Sequence, residues 1–337
     1  MAWPVDMHQK NPRIRKIRLQ TRTNEQTTSK QMNQSTSYIL MIRPVNFGFN
    51  EETAGSNAFQ DRNAAKDGVN EKAQQEFDRM VNTLCANGVD VTVIDDTPEP
   101  YTPDSIFPNN WVSFHADGGV FLYPMQAENR RLERREDIIA RIEDRFVVKH
   151  IIDLSRFEVE DKFLEGTGSM VLDRVNKIAY ACLSPRTEKE VLDLFCEQAG
   201  YTAVSFDAVD EKGKAIYHTN VLMCVGSEFA VICLDSIPNP HEKIVVKESL
   251  LSTQKEIIDI SFAQMNRFAG NMLEVKNADE ETLIVMSKNA FDALDEEQKS
   301  TLEKHGKLVY SDINTIETNG GGSARCMMAE VHLPEVQ

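Results

Sequence analysis

The sequence has no cysteine pair at CxxC spacing, no HExxH, and no cluster of Cys with His among its 6 Cys and 7 His. That leaves out the common zinc signatures. Cys85, Cys182, Cys196, Cys224, Cys233 and Cys326 read as free thiols of a reducing compartment rather than as a disulfide framework. No apolar run approaches the roughly 18 residues of a membrane span, and the first residues lack the apolar centre of a secretory signal. Positive charge is scarce as well, with 37 Lys plus Arg against 53 Asp plus Glu, a formal charge of −16 over 337 residues. A phosphate-backbone binder needs a basic stripe, so nucleic acid is excluded as a partner. Gly320 to Cys326 has no GK[ST], and Gly166-Thr167-Gly168 lacks the third glycine and acidic partner of a dinucleotide fingerprint. The expectation is a soluble, cytoplasmic protein that works without metal, cofactor, nucleic acid or membrane.

The little basic character there is gathers at one end. Residues 1–37 hold Lys10, Arg13, Arg15, Lys16, Arg18, Arg22 and Lys30 against Asp6 and Glu25, among Gln, Asn, Ser and Thr. Such a segment buries little apolar surface and reads as a disordered extension, or as an over-early start ahead of Met32 or Met41. An Arg-rich, acid-poor transit peptide is the alternative. Without it the body carries −21. Residues 38–337, in a chain that is 41% apolar, are assigned to a single domain.

Within that body a unit recurs. Polar spots stand at Asn109-Asn110, Glu165-Gly166, His218-Thr219-Asn220, Gly270-Asn271 and Cys326, spaced by 55, 53, 52 and 56 residues. A near-constant period of this size marks a repeat architecture. After each spot comes an apolar run, then a turn (Asp117-Gly118-Gly119, Asp173-Arg174, Gly226-Ser227 or Asn277-Ala278-Asp279) and a second run. Helices are predicted near 57–87 and at about 129–145, 186–199, 240–254 and 290–305. Thr187 is expected to open the third, with Gly200 and Gly306 at C-terminal ends. Short strands follow at 90–95, 147–152, 201–206, 257–261 and 307–311. The unit is strand, strand, helix, strand, five times over. Tyr38 to Asn46 can pair with the last strand after Cys326, closing a ring of α/β units and leaving no open edge.

If the spots occupy equivalent places, Asp, Asn, Glu, His and Cys side chains converge on one cavity, which reads as a site. Cys326 follows Gly320-Gly321-Gly322, a loop whose backbone can approach a ligand closely. A thiol, a His and a Glu form the nucleophile, base and orienter grouping of covalent catalysis. A lone Cys is more often a small core residue, and Cys182, Cys196, Cys224 and Cys233 in apolar runs are assigned to the core. Arg130-Arg131 and Arg134-Arg135, interleaved with Glu133 and Glu136, read as a solvated helix face.

At these residues the chain resembles the guanidine-modifying superfamily of arginine deiminases, dimethylarginine hydrolases, amidinotransferases and succinylarginine dihydrolase. TNGGGSARCMMAEV at 318–331 resembles its Cys segment, FLEGTGSMV at 163–171 its Glu-Gly segment, YHTNV at 217–221 its His segment, and PDSIFPNNWVS at 103–113 its first substrate loop. The arrangement is most like the branch of citrulline-utilisation hydrolases, also called arginine deiminase-related, over about residues 38–334. The resemblance implies a five-bladed, pseudo-symmetric α/β propeller of ββαβ units, the pentein fold. It implies Cys326 as nucleophile, His218 as acid and base, and Glu165 as the carboxylate that orients His218 or binds the planar head group. Asp104 matches a substrate-contacting Asp. Arg186, in SPRT, resembles the Arg that clamps an α-carboxylate, a task suited to guanidinium.

The implied activity is cofactor-free hydrolysis of a C–N bond in a guanidino or ureido amino acid, citrulline or an arginine derivative, through a thioether-linked intermediate. The superfamily usually places carboxylates where this chain has Asn110 and Asn220. A neutral ureido group wants one donor and one acceptor, which Asn supplies, so these two residues point toward citrulline-like substrates. Two alternatives stay open: an amidinotransferase with an amine acceptor, and a non-catalytic propeller that binds a small amino acid. The partner expected is a small molecule, and self-association is left open. The stretch Phe47 to Asn57 and the Gly320 loop are candidates for closing over a substrate.

Overall fold

Fifteen strands pair in threes. The computed structural model describes residues 33–61, 63 and 67–336, and residues 32–337 form one compact unit. The expectations for residues 1–32 lie outside the described residues. The strands are β1 (Tyr38–Arg43), β2 (Asp90–Asp95), β3 (Val112–Phe114), β4 (Gly119–Leu122), β5 (His150–Asp153), β6 (Val171–Asp173), β7 (Ile178–Leu183) and β8 (Thr202–Asp207). Then come β9 (Met223–Val225), β10 (Phe229–Ile232), β11 (Glu256–Asp259), β12 (Leu273–Lys276), β13 (Thr282–Ser287), β14 (Lys307–Ser311) and β15 (Ala329–Glu330). They form five sheets of identical plan, β3-β4-β5, β6-β7-β8, β9-β10-β11, β12-β13-β14 and β15-β1-β2. In each, the middle strand runs antiparallel to the first and parallel to the third.

That mixed pairing follows from the connections. A tight turn joins the first two strands of a unit, whereas the parallel third strand needs a crossover, and each crossover carries a helix. In Val69–Ala86 the buried residues Val69, Ala73, Phe77, Met80 and Leu84 recur every three or four positions, laying one apolar stripe on a sheet. The first strands β3, β6 and β9 are buried throughout, while the third strands β5, β8 and β11 are mostly exposed or part-exposed. The fifth sheet is assembled from both ends of the body, with Ile39 opposite Glu330 and Leu40 opposite Ala329, as the sequence predicts. Neighbouring sheets touch through β15 and β3, β6 and β9, and β9 and β12. No helix among the described residues is long and apolar enough to cross a membrane.

Several sequence expectations are corrected. Residues 33–37 were assigned to the extension, yet Gln34 and Ser35 are buried. Gln34 Nε2 donates to the carbonyls of Leu172 and Val225 at 2.9 and 3.1 Å, its Oε1 accepts from Arg174 N at 2.7 Å, and Ser35 Oγ donates to Glu274 at 3.0 Å. These two side chains tie together the ends of β6, β9 and β12. The helix near 57–87 starts only at Val69, because residues 50–57 are held in a loop. The helix expected at 129–145 breaks into Glu128–Arg131 and Glu136–Glu143, and the one at 290–305 into Lys288–Ala293 and Glu296–His305, where Asp295 makes a capping box with Gln298. Thr187 opens nothing: the helix Lys189–Ala199 is entered through Glu188. Gly200 is the left-handed C-terminal glycine, whereas Gly306 has an extended backbone.

Candidate active site

Every polar spot precedes the first strand of a sheet by a residue or a few. Asn110 ends the turn Pro108–Asn110 before β3, Glu165 leads Gly166–Ser169 before β6, and His218 leads Thr219–Leu222 before β9. Asn271 precedes β12, and Cys326 lies in Ala324–Met327 before β15. All are buried. The glycines of the Glu-Gly segment make the convergence possible. A Cβ on Gly166, whose φ is +48°, would collide with the carbonyl of Asn109, and one on Gly168 would collide with Asn110 Nδ2 and lie 2.9 Å from His218 Nδ1.

Cys326 Sγ receives two amide donors, Asn271 Nδ2 at 3.3 Å and Asn220 Nδ2 at 3.4 Å. Asn271 is itself locked, with Nδ2 also donating to Asn220 O at 2.7 Å and Oδ1 accepting from Arg325 N at 2.9 Å. Among the other buried thiols, Cys182 Sγ accepts from Thr219 Oγ1 at 3.4 Å, and burial pushes Cys182 and Cys224 up to about 12. Asn271 was singled out in the sequence only by its phase in the repeat, and its place at the sulfur is decided by the fold.

His218 Nε2 lies 2.8 Å from Glu165 Oε2. Burial would raise the Glu165 carboxyl, but Arg186, the His218 hydrogen bond and Arg130 outweigh it and hold Glu165 well below the usual carboxylate range. Burial lowers His218 to about 4, against the pull of Glu165. An ionised carboxylate only accepts, so Nε2 carries the proton of the neutral imidazole and Nδ1 is left bare. The partner oxygen Glu165 Oε1 accepts from Gln126 N at 3.0 Å.

Arg186 lies over the Tyr217 ring, 4.9 Å from its centroid, and reaches Glu165 at 3.4 Å, Thr53 O at 3.1 Å and Ser56 Oγ at 2.6 Å. Its fork is therefore filled by the 47–57 stretch. A second arginine joins it. Arg130 was read as part of a solvated face, but the helix breaks after Arg131 and Arg130 is buried, forked onto Glu133 at 2.8 and 2.9 Å. It donates to Asn110 Oδ1 at 2.8 Å and lies 3.8 and 3.9 Å from Asp104 and Glu165. Alternation of sign along a helix reads the same whether the pair faces water or chelates indoors, so nothing local distinguishes the two.

Asp104 Oδ2 accepts from Asn50 Nδ2 at 2.8 Å and Thr53 Oγ1 at 3.3 Å, whereas its Oδ1 is buried without a partner, as is Asn220 Oδ1. Burial raises Asp104, against Arg130, Asn50 and Arg186. A small cavity, of about 10 Å³, is lined by Asp104, Asn110, Arg130, Arg186, His218 and Cys326 together with the Gly320 loop. Glu165 and Asn220 stand one layer out, at the imidazole and at the sulfur. The two stretches expected to close over a ligand meet here, Asn57 Nδ2 donating to the carbonyls of Gly320 and Gly321 at 3.2 and 3.3 Å. No group of His, Cys, Asp and Glu among the described residues is arranged to hold a metal.

Residues 43–333 match the model of the family described as N,N dimethylarginine dimethylhydrolase, eukaryotic. No curated protein matches the chain. Among solved structures, apo ArgZ, an arginine dihydrolase of the ornithine-ammonia cycle in cyanobacteria, superposes with a TM-score of 0.70 at 18% identity, over 89% of this chain and 41% of that one. The N-terminal domain of ArgZ, as a Cys-to-Ser mutant bound to substrate, gives 0.69 at 18% identity over 88% of this chain and 98% of that one. DDAH from Pseudomonas aeruginosa, a Cys-to-Ser mutant complexed with citrulline, gives 0.61 at 16% identity over 88% and 99%. The chain thus spans about two fifths of full-length ArgZ and nearly all of its N-terminal domain. At these identities the likeness shows the fold, a mixed α/β fold of small sheets.

Proposed function

Since the chain belongs to the N,N dimethylarginine dimethylhydrolase family, we propose that it is a cysteine hydrolase acting on a C–N bond of a guanidino amino acid, with Cys326, His218 and Glu165 as its catalytic residues. The observation that carries the choice of head group is an unpartnered acceptor. Asp104 Oδ1, on a residue that lines the cavity, is buried and unpartnered, and a guanidinium offers only N–H donors, whereas a ureido oxygen would add one more acceptor. Asn110, which suggested a ureido group, already spends its oxygen on Arg130 and its Nδ2 on Asn109 Oδ1 at 3.0 Å. The guanidino side of the sequence-based choice is therefore preferred.

In the proposed reaction the Cys326 sulfur attacks the central guanidinium carbon while Asn220 and Asn271 direct their N–H groups at it. As the C–S bond forms, His218 takes the Cys326 thiol proton at Nδ1 and delivers it to the departing amine, which leaves as the C–N bond breaks. The neutral His218 then draws a proton from a water that attacks the thioether-linked carbon. The second collapse breaks the C–S bond, the proton returns to sulfur, and a ureido product is released. Glu165 balances the imidazolium in both halves. Arg130 and Arg186 are the cations available for the substrate carboxylate, Arg186 by exchanging Ser56 and Thr53 for it.

The five sheets are proposed to be blades of a propeller whose ring closes at β1 and β15, supported by the shared strand plan and the contacts between first strands. The catalytic domain then begins by Gln34. Six free cysteines support a cytoplasmic setting. Incubating purified protein with arginine, N-methylated arginines and citrulline tests the reading. Turnover of a guanidino compound to a ureido product is expected, and turnover of citrulline alone would overturn it.

A further inference from the structure

A second cavity, of about 160 Å³, lies where the β3–β4 turn, the β6–β7 turn and the C-terminal segment meet, and it shares no lining residue with the catalytic one. His115, Arg174, Lys177 and His332 line it, with Tyr201 and Asp117. Its charges do not balance locally. Buried Arg174 meets one carboxylate, Glu330, at 3.4 Å. That carboxylate already takes Arg325 at 2.8 Å and, on its other oxygen, His332 Nε2 at 3.2 Å. Lys177 Nζ donates to the Ala199 carbonyl at 3.3 Å and sits 4.4 Å from the Tyr201 ring centroid, with no ion pair among the described residues. Of the nearby acids, Asp173 takes Lys255 at 3.4 Å and Asn176 at 2.9 Å, whereas Asp117, which accepts from Gly119 N at 2.9 Å, lends its charge to Lys177 without an ion pair. Burial lowers His115 and His332, the latter to about 4, so both are neutral at pH 7 and the cavity's positive charge belongs to Arg174 and Lys177.

Lys177 ends the β6–β7 turn with φ at 55°, in the left-handed region where glycine is the usual choice, and its side chain reaches the cavity.

We propose that this cavity is a binding site for a small oxyanion, a carboxylate or phosphate group held between the Arg174 fork and the Lys177 ammonium. Such a ligand adds negative charge where Arg174, Arg325 and Lys177 stand against Glu330 and Asp117, and it accepts hydrogen bonds from the Arg174 fork and the Lys177 ammonium. It leaves Cys326 and its neighbours untouched, so binding here and turnover there are separable.

The test is titration of the full chain with orthophosphate and, separately, malonate at constant ionic strength, read by thermal unfolding and by calorimetry, in wild type and in Lys177→Gly. At about 100 times the dissociation constant a saturable rise of roughly 3–5 °C in Tm is expected. Lys177→Gly should match or exceed the wild-type Tm without ligand, because the backbone strain is relieved, yet bind at least about tenfold more weakly. Lys177→Asn, which tolerates the left-handed backbone, should lose the same affinity. A response to phosphate alone identifies a phosphate site, and a response to malonate identifies a carboxylate site. No saturable shift with either anion, or equal affinity in both variants, overturns the proposal.

Discussion

Two cavities of this protein contrast in the charge they leave unbalanced. Beside Cys326 two buried oxygens, Asp104 Oδ1 and Asn220 Oδ1, have no donor. Around Arg174 two arginines share Glu330, and Lys177 makes no ion pair among the described residues. Both places are built from the same units and both hold a neutral histidine against a glutamate, His218 with Glu165 and His332 with Glu330. What differs is the sign of what is missing. An unpartnered acceptor selects a donor-rich cation, and an excess of positive charge selects an oxyanion. The residue inventory alone, with Arg and Glu in each, would not have separated them.

The strongest way to break this contrast is at the sulfur. Cys326→Ser should lower turnover by at least about 10⁴-fold and abolish the covalent adduct seen by mass spectrometry, while Cys224→Ser, in the core, keeps both. Equal losses in the two variants would remove Cys326 from the chemistry. Next, Asn271→Ala takes away one of two N–H donors to Sγ and should lower kcat by about 10²-fold. Because Asn271 also holds Arg325 N, a crystal structure or an alkylation rate should show whether the loop has moved, and an unchanged kcat would leave Asn271 a structural residue only.

Asp104→Asn asks whether the unpaired acceptor recognises a cation. An increase in KM of roughly 10-fold for a guanidino substrate is expected, with a smaller change for a ureido analogue. A larger penalty for the ureido compound would reverse the assignment of the head group. The last prediction concerns stability at the second cavity rather than turnover. His332 has a folded value of about 4, below its ordinary 6.5, so the unfolded chain binds the extra proton between those limits. Its contribution is complete above pH 6.5 and is lost as pH falls toward 4. Between these values wild type should lose on the order of 2–3 kcal/mol more stability than His332→Gln. Parallel denaturation curves for the two proteins across that range would show that His332 does not titrate as a buried neutral group.

Much of the site was legible before any coordinates, because its members repeat in phase. Asn110, Glu165, His218, Asn271 and Cys326 each stand before the first strand of a unit, and a property that recurs every 52 to 56 residues is visible in one dimension. The pairing of β1 with β15 followed from the same count. Illegible were the partners that each member acquires. Arg130 and Glu133 looked like a solvent face because a three-residue spacing of opposite charges is what such faces show, and only the break after Arg131 and the 47–57 loop over it take the pair indoors. Likewise Asn110 seemed free to read a substrate until Arg130 was found on its oxygen. Phase within a repeat is a local property that strand and turn preferences set along the chain. Which donor meets which acceptor is settled between units 50 to 100 or more residues apart, where burial removes water as an alternative partner and leaves Asp104 and Asn220 short of donors and Lys177 without an ion pair.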